Sequence, residues 1–355
     1  MRSSRTLPFS YELFAALAVA AAAGTGGCGG GGGGPAPRPV VGVACTDSAP
    51  WTTDGTAEVA LTVDASVAGP AWSRFYEGAV ATDHANTILS SAWGRNAQNA
   101  LKKGHDQAGF RYARFHGILN RDIGVYPETA PALATETPAY NWTRFDQVYD
   151  AVVAAGMRPI VEISFTPPAL ASDPAALQPQ LWYGGVYPNI SKPVLSPTGD
   201  TAATPTWDHW QKFMADIVHH LEDRYGADEV RNNWYFEVWN EATWMYKDGI
   251  AAYNELYFNT AMGLTAGDPQ VKIGGPADSG GDSPYSIPSL IDFAAAQHIK
   301  LDFISYHLYG QDFGPDGDVG TFINKKHELY GTIAAHGFTG ELINDEFGST
   351  YNPTL

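Results

Sequence analysis

Two short stretches carry acids whose type and spacing suit chemistry. Residues 237–244, EVWNEATW, hold Glu237 and Glu241 four residues apart, with Asn240 beside the second. Residues 342–349, LINDEFGS, hold Asp345 and Glu346 side by side. Two carboxylates brought together from separate strands are what hydrolysis of a glycosidic bond requires. One is held protonated to donate to the leaving oxygen, and the other is ionised to attack the anomeric carbon. Arg114 and His116 are two apart and share one face of an extended segment, as do His307 and Tyr309. A cation and a tyrosine hydroxyl near Glu346 would keep it ionised, the state a nucleophile needs. Asn240 is suited to bond a sugar hydroxyl.

These groups matter only if the chain places them together. Short apolar runs of β type alternate with longer helical segments, the pattern of parallel βα units. The strand candidates are 72–80, 110–118, 158–165, 234–240, 271–275, 301–309 and 341–348, with a further strand-like stretch at 56–66. Helices are predicted over 143–156, 207–226, 250–264 and 322–337; Phe145, Val148, Val152 and Val153 show the helical spacing, and glycine closes three of them. Such a series predicts an α/β fold, a (β/α)₈ TIM barrel. A doubly wound sheet is the competitor, but no Gly-x-Gly-x-x-Gly follows the first strand. Only STYNPTL follows the seventh strand, so the barrel is expected to be truncated there.

Barrel enzymes keep catalytic groups at the C-terminal ends of strands. Glu241 lies at such an end. Glu237, four residues earlier, should sit roughly 13 Å deeper at about 3.3 Å per residue, as scaffold paired with a neighbouring cation. Glu162, mid-strand in VEISF, is demoted for the same reason. Neighbours on a strand point opposite ways, so at most one of Asp345 and Glu346 should face the site squarely. Glu346 has the longer reach.

The whole chain narrows the classes. A net charge of −17 argues against a nucleic-acid backbone as partner, which needs clustered Lys and Arg. The start has the form of a secretory signal: Arg2 and Arg5, an apolar run from Leu13 to Ala23, then small residues. Residues 1–27 are therefore expected to be a signal peptide, 28–55 a flexible Gly/Pro-rich linker, and 56–355 the barrel domain. Cys28 follows small residues and precedes a glycine run, so a lipid anchor to a bacterial envelope through Cys28 is one expectation. A Cys28–Cys45 disulfide is the alternative.

The stretches FRYARFHGIL, WYFEVWNEA, DFISYHLYG and LINDEFGS resemble the strand motifs of glycoside hydrolase family 39. The likeness runs from about residue 58 to the end. That family holds β-xylosidases and α-L-iduronidases among retaining barrel glycosidases. The resemblance implies Glu241 as general acid/base and Glu346 as nucleophile. It implies Asn240 at the sugar 2-hydroxyl, with His84, His116, His307 and Tyr309 around the sugar; Arg114 is grouped with these as a binding residue. Ala242 stands where the family has proline, and Asp345 where it has threonine or serine. An acid at 345 would raise the pKa of Glu346 if the two approached.

Other features point less sharply. The stretch 166–206 follows the third strand, and its Trp182, Tyr183 and Tyr187 suit a substrate-covering loop. Asp312, Asp316 and Asp318 lack full calcium-loop spacing, and His219 and His220 lack a His-Glu-x-x-His. No metal or cofactor is expected. The expected partner is an oligo- or polysaccharide. A carbohydrate-binding homologue without activity and an endo-acting hydrolase are the alternatives.

Overall fold

The computed structural model describes residues 79–91, 94–171, 207–245, 249–279, 283–309 and 319–348. The expected signal, linker and 56–66 strand lie outside the described residues. So do the loop from residue 172 onward, with its aromatics, and the three aspartates between 312 and 318. The strands are β1 (Ala79–His84), β2 (Tyr112–His116), β3 (Arg158–Ile163), β4 (Tyr235–Val238), β5 (Lys272–Asp278), β6 (Phe303–Tyr309) and β7 (Glu341–Gly348). The α-helices are α1 (Gly94–Lys103), α2 (Thr143–Ala154), α3 (Trp207–Tyr225), α4 (Ala227–Asn233), α5 (Ala242–Met245), α6 (Gly249–Gly267), α7 (Ser283–Gln297) and α8 (Val319–Ala335).

All seven strands are parallel and pair in chain order. The sheet curls until β1 and β7 come into contact, though no ladder joins them among the described residues. This is an α/β fold with a partial barrel. The first strand was expected at 72–80; residues 72–78 lie outside the described residues, and the described strand runs on to His84, as Ala79–His84. Its core-facing signal is weak because AVATDH has no large apolar residue. Two unexpected helices have equally clear reasons. In α1, GRNAQNALKK, only Gly94 and Leu101 are buried, so the apolar stripe is too thin to read. In α7, Pro288 lies inside the helix, where sequence alone argues for a break.

Helices pack outside the sheet around one large apolar core. Helices α3 and α6 approach each other closely. A Cβ on Gly263 would lie 2.5 Å from the Gln211 carbonyl oxygen, and one on Gly267 2.7 Å from Val218 Cβ. These two positions are glycine because the helix backbones nearly touch.

Inside the curl the side chains stack in layers, since every second residue of a strand points inward. The floor is Tyr112, Ile160, Tyr235, Phe303 and Ile343, from five strands. Tyr235 makes edge-to-face contacts with Tyr112 at 5.4 Å and Phe303 at 5.3 Å. Two residues further along β2, β3 and β4, the same faces carry Arg114, Glu162 and Glu237, all buried. An aromatic floor thus separates a charged layer from the N-terminal mouth of the sheet.

Candidate active site

Arg114 is the centre of the charged layer and is 1% exposed. Its Nε bonds Glu237 Oε2 and lies 3.1 Å from Asp345 Oδ2. Its Nη1 donates to Glu346 Oε1 at 2.8 Å. Its Nη2 donates to Asn240 Oδ1 at 2.8 Å and pairs with Glu162 Oε2 at 2.8 Å. A guanidinium has five N–H donors in a planar fork, so one side chain can serve three other strands and the turn after β4. Arg114, expected among the substrate-binding residues, is thus engaged by the protein itself. All three of its nitrogens meet protein oxygens, and it is closed off from solvent.

Above Arg114, His116 and His307 flank Glu346. His116 Nδ1 bonds Glu162 Oε2 at 2.8 Å, and its Nε2 lies 3.3 Å from Glu346 Oε1. His307 Nδ1 bonds Glu241 Oε1 at 2.9 Å and lies 3.5 Å from Glu346 Oε2. The Tyr309 hydroxyl donates to Glu346 Oε2 at 2.9 Å. Glu346 and Glu241 keep 12% and 15% of their side chains exposed, so both reach the open end of the curl.

The backbone explains how each acid gets there. After Val238 the chain leaves β4, with positive φ at Trp239 (72°) and Glu241 (46°), conformations that non-glycine residues seldom adopt. Glu241 N donates to the Ala277 carbonyl at 2.9 Å, and Asp278 Oδ1 caps the next turn by accepting from the Thr243 N–H at 3.1 Å. This turn also corrects the depth expected for Glu237. The chain does not continue extended to Glu241, and Arg114 touches both Glu237 and Glu346. Glu237 is scaffold paired with a cation, as expected, but it lies just beneath the site.

In β7 the register to β6 jumps from Tyr306↔Asn344 to His307↔Glu346, so Asp345 is a bulged extra residue. With O and N placed as its neighbours require, the Asn344 amide donates to Tyr306 O at 3.0 Å and Glu346 O at 2.8 Å, bracing the bulge. The bulge lets both acids face inward. That corrects the expectation that only one would. Asp345 is buried, 3.7 Å from His307 Nε2.

Electrostatics favour the ionised form of Glu346. Burial opposes ionisation of Glu346, but His307, His116 and Arg114 outweigh it and hold this carboxyl well below the usual range. The expected upward push from Asp345 is thereby overruled. Burial also opposes charge on His116, yet Glu162 and Glu346 bring its pKa up to about 10. His307 is likewise raised well above normal, by Glu346 and Asp345 against burial. Burial raises the Tyr309 hydroxyl, and the neighbouring Glu346 raises it further, so it stays a donor.

His84 does not join this cluster. Its Nδ1 is 3.0 Å from the His116 carbonyl oxygen and its Nε2 2.8 Å from Asp122 Oδ2. Both ring nitrogens of this residue, expected at the sugar, are engaged by protein, and it braces the end of β2. Glu241, His307 and Glu346 offer one ligand atom each within 4.8 Å of one another. A metal ligand histidine must be neutral, and the acids around His307 favour its protonated form. His307 bridges the two acids, by a hydrogen bond to Glu241 and an ion-pair contact of 3.5 Å with Glu346. Sequence reasoning missed Asp345, Glu162 and Glu237 as members of one network. The i, i+2 spacing Arg114–His116 did signal the strand face that links them.

Comparison with known proteins agrees with this architecture. The family model for glycosyl hydrolases family 39 matches residues 59–326, a span that includes Glu241 and stops short of Glu346. A β-xylosidase of Caldicellulosiruptor saccharolyticus is 31% identical over 243 residues, covering 68% of this chain and 44% of that protein. One from Geobacillus stearothermophilus is 34% identical over 212 residues, covering 59% of this chain and 38% of the relative. The chain thus spans less than half the length of these curated relatives. Among solved structures, a GH39 β-xylosidase from Caulobacter crescentus superposes with a TM-score of 0.63 at 30% identity, over 81% of this chain and 56% of that one.

Proposed function

Because the chain belongs to glycosyl hydrolases family 39, we propose that it is a retaining glycosidase that cleaves β-xylosidic or related bonds by double displacement. One observation carries this: Glu241 and Glu346 bring carboxylate oxygens within 4.8 Å of each other, while only Glu346 is tied to Arg114. Retaining enzymes need carboxyl groups about 5–5.5 Å apart, and inverting ones about 6.5–9.5 Å to admit a water.

In the first step Glu346, ionised, attacks the anomeric carbon as Glu241 gives its proton to the leaving oxygen. The glycosidic C–O bond breaks and a glycosyl ester forms on Glu346. In the second step Glu241, now a carboxylate, takes a proton from water, whose oxygen displaces Glu346 and restores both groups. His307 bonds Glu241 and stands beside Glu346, so it orients both in each step. Asn240, anchored by Arg114 through its oxygen, is placed beside Glu241 to meet a sugar hydroxyl.

The three cations of the cluster, Arg114, His116 and His307, are each bonded to carboxylates already. A sugar bearing its own carboxylate would find them occupied, which favours a neutral pentoside such as xylose. The full (β/α)₈ barrel and export, with Cys28 as the anchor point, belong to the same proposal.

The test is hydrolysis of an aryl β-D-xyloside and of xylobiose, with the anomer of the first product followed by NMR. Retention is expected, and Glu346→Ala should reduce turnover to background. Glu241→Ala should cost about 10²–10⁴-fold on xylobiose and much less on the aryl substrate, whose leaving group needs little protonation. An inverted product, or an active Glu346→Ala, would sink the proposal. Binding of xylo-oligosaccharides without hydrolysis would move the chain to a binding role.

A further inference from the structure

Four carboxylates, Glu162, Glu237, Asp345 and Glu346, surround three cations, Arg114, His116 and His307. With these four acids ionised and both histidines charged, the set would carry one unbalanced negative charge, before Glu241, which bonds His307 at its open edge, is counted. Such a charge is costly away from water. Three oxygens in the set are also buried without a hydrogen bond: Glu237 Oε1 and both oxygens of Asp345. The two acids share the Nε of Arg114, which holds their carboxyl groups side by side. Two adjacent carboxylates have no donor between them, whereas a carboxylic acid and a carboxylate have one.

We propose that Glu237 and Asp345 share a single proton, Glu237 as the acid and Asp345 as the carboxylate, forming a positioning pair beneath the nucleophile. The proton joins Glu237 Oε1 to Asp345 and leaves Oε2 to accept from Arg114. It balances the set at zero. Asp345 keeps its charge to hold His307 protonated from below, while Arg114 and His307 hold Glu346. Burial, Asp345 and Glu162 all push the Glu237 pKa well above normal, against Arg114. Burial would raise Asp345 as well, but Arg114 and His307 bring it below normal. Arg114 and His116 of β2, Glu162 of β3, His307 of β6 and Glu346 of β7 are the charged groups that frame the pair. The role assigned to the pair rests on Glu346 being the nucleophile; the existence of the shared proton does not.

The deciding measurement is infrared spectroscopy of the full chain at neutral pH, in the carboxylic acid C=O stretching region. The wild type should show a protonated-acid band that Glu237→Gln removes and Asp345→Asn removes or shifts. No difference between wild type and Glu237→Gln would overturn the proposal. This arm needs no turnover, so it stays decisive if the chain proves inactive. Kinetics supply the second arm. A glutamine amide can donate to Asp345 while its oxygen accepts from Arg114, so it reproduces the bonds of the acid. Glu237→Gln should therefore keep kcat/KM within about threefold, whereas Glu237→Ala should lose about tenfold or more. If glutamine fails to fold, or is as damaging as alanine, Glu237 is an ordinary ion-pair partner of Arg114 and no proton is shared.

Discussion

Each acid of the site does what its contacts with one guanidinium allow. Glu346 meets Arg114 and two imidazoles and is held ionised; Glu241 meets His307 instead. Removing Arg114 should therefore unsettle every strand it serves. Arg114→Met is expected to destabilise the fold by about 3–5 kcal/mol, because it leaves buried carboxylates without their cation; urea denaturation measures this. Arg114→Lys should rescue little, since a point charge cannot reach all the acceptors of the fork. His116 gives a pH signature. Its pKa is raised on folding from 6.5 to about 10. Its contribution is then complete below about pH 6.5 and lost as pH rises toward 10. Thermal melts from pH 6.5 to 10 should fall in the wild type and fall less in His116→Gln. Equal slopes would show that His116 is not charged in the folded state. The structure brings Glu241 and Glu346 together, and their places at strand ends were legible in the sequence. The engagement of Arg114 and His84 by protein was not, because Asp122, Glu162 and Glu237 come from segments far away in sequence.

At the scale of elements, two irregularities aim the acids. The bulge at Asp345 turns one side of β7 into a double row of inward carboxylates. The positive φ values after Val238 lift Glu241 to the rim. Neither leaves a glycine or proline signature, so period-two alternation alone misplaced Asp345. The regular parts were far more legible. Strand β7 lies at 341–348 as expected, and α2 and α3 begin at the expected residues. Helix approach makes its own demand. Gly263→Ala gains helix propensity of about 1 kcal/mol, yet its Cβ would press on the Gln211 backbone. Overpacking of that kind costs about 1–3 kcal/mol, so the net expectation is a lower Tm in a thermal melt. An unchanged or higher Tm would mean that α3 and α6 part at little cost.

Across the whole molecule, charge and layering bear on the proposed choice of a neutral substrate. A net charge of −17 repels anions at range, and at the site the cations are already engaged. A neutral aryl xyloside should show a kcat/KM nearly independent of ionic strength. An aryl uronide should be a poorer substrate whose kcat/KM rises with salt, as screening shortens the Debye length from about 30 Å at 0.01 M to about 10 Å at 0.1 M. A uronide preferred at low salt would refute this account. Composition and the βα alternation determined the α/β class by themselves, and the motifs put Glu241 and Glu346 at strand ends. They could do so because local patterning and strand-end position are properties of contiguous sequence. Tertiary structure alone decided that Asp345 faces inward, that Glu237 lies under the site, and that Arg114 holds the cluster together. Those outcomes depend on the curl of the sheet, the register between β6 and β7, and the burial of charges from five strands around one guanidinium.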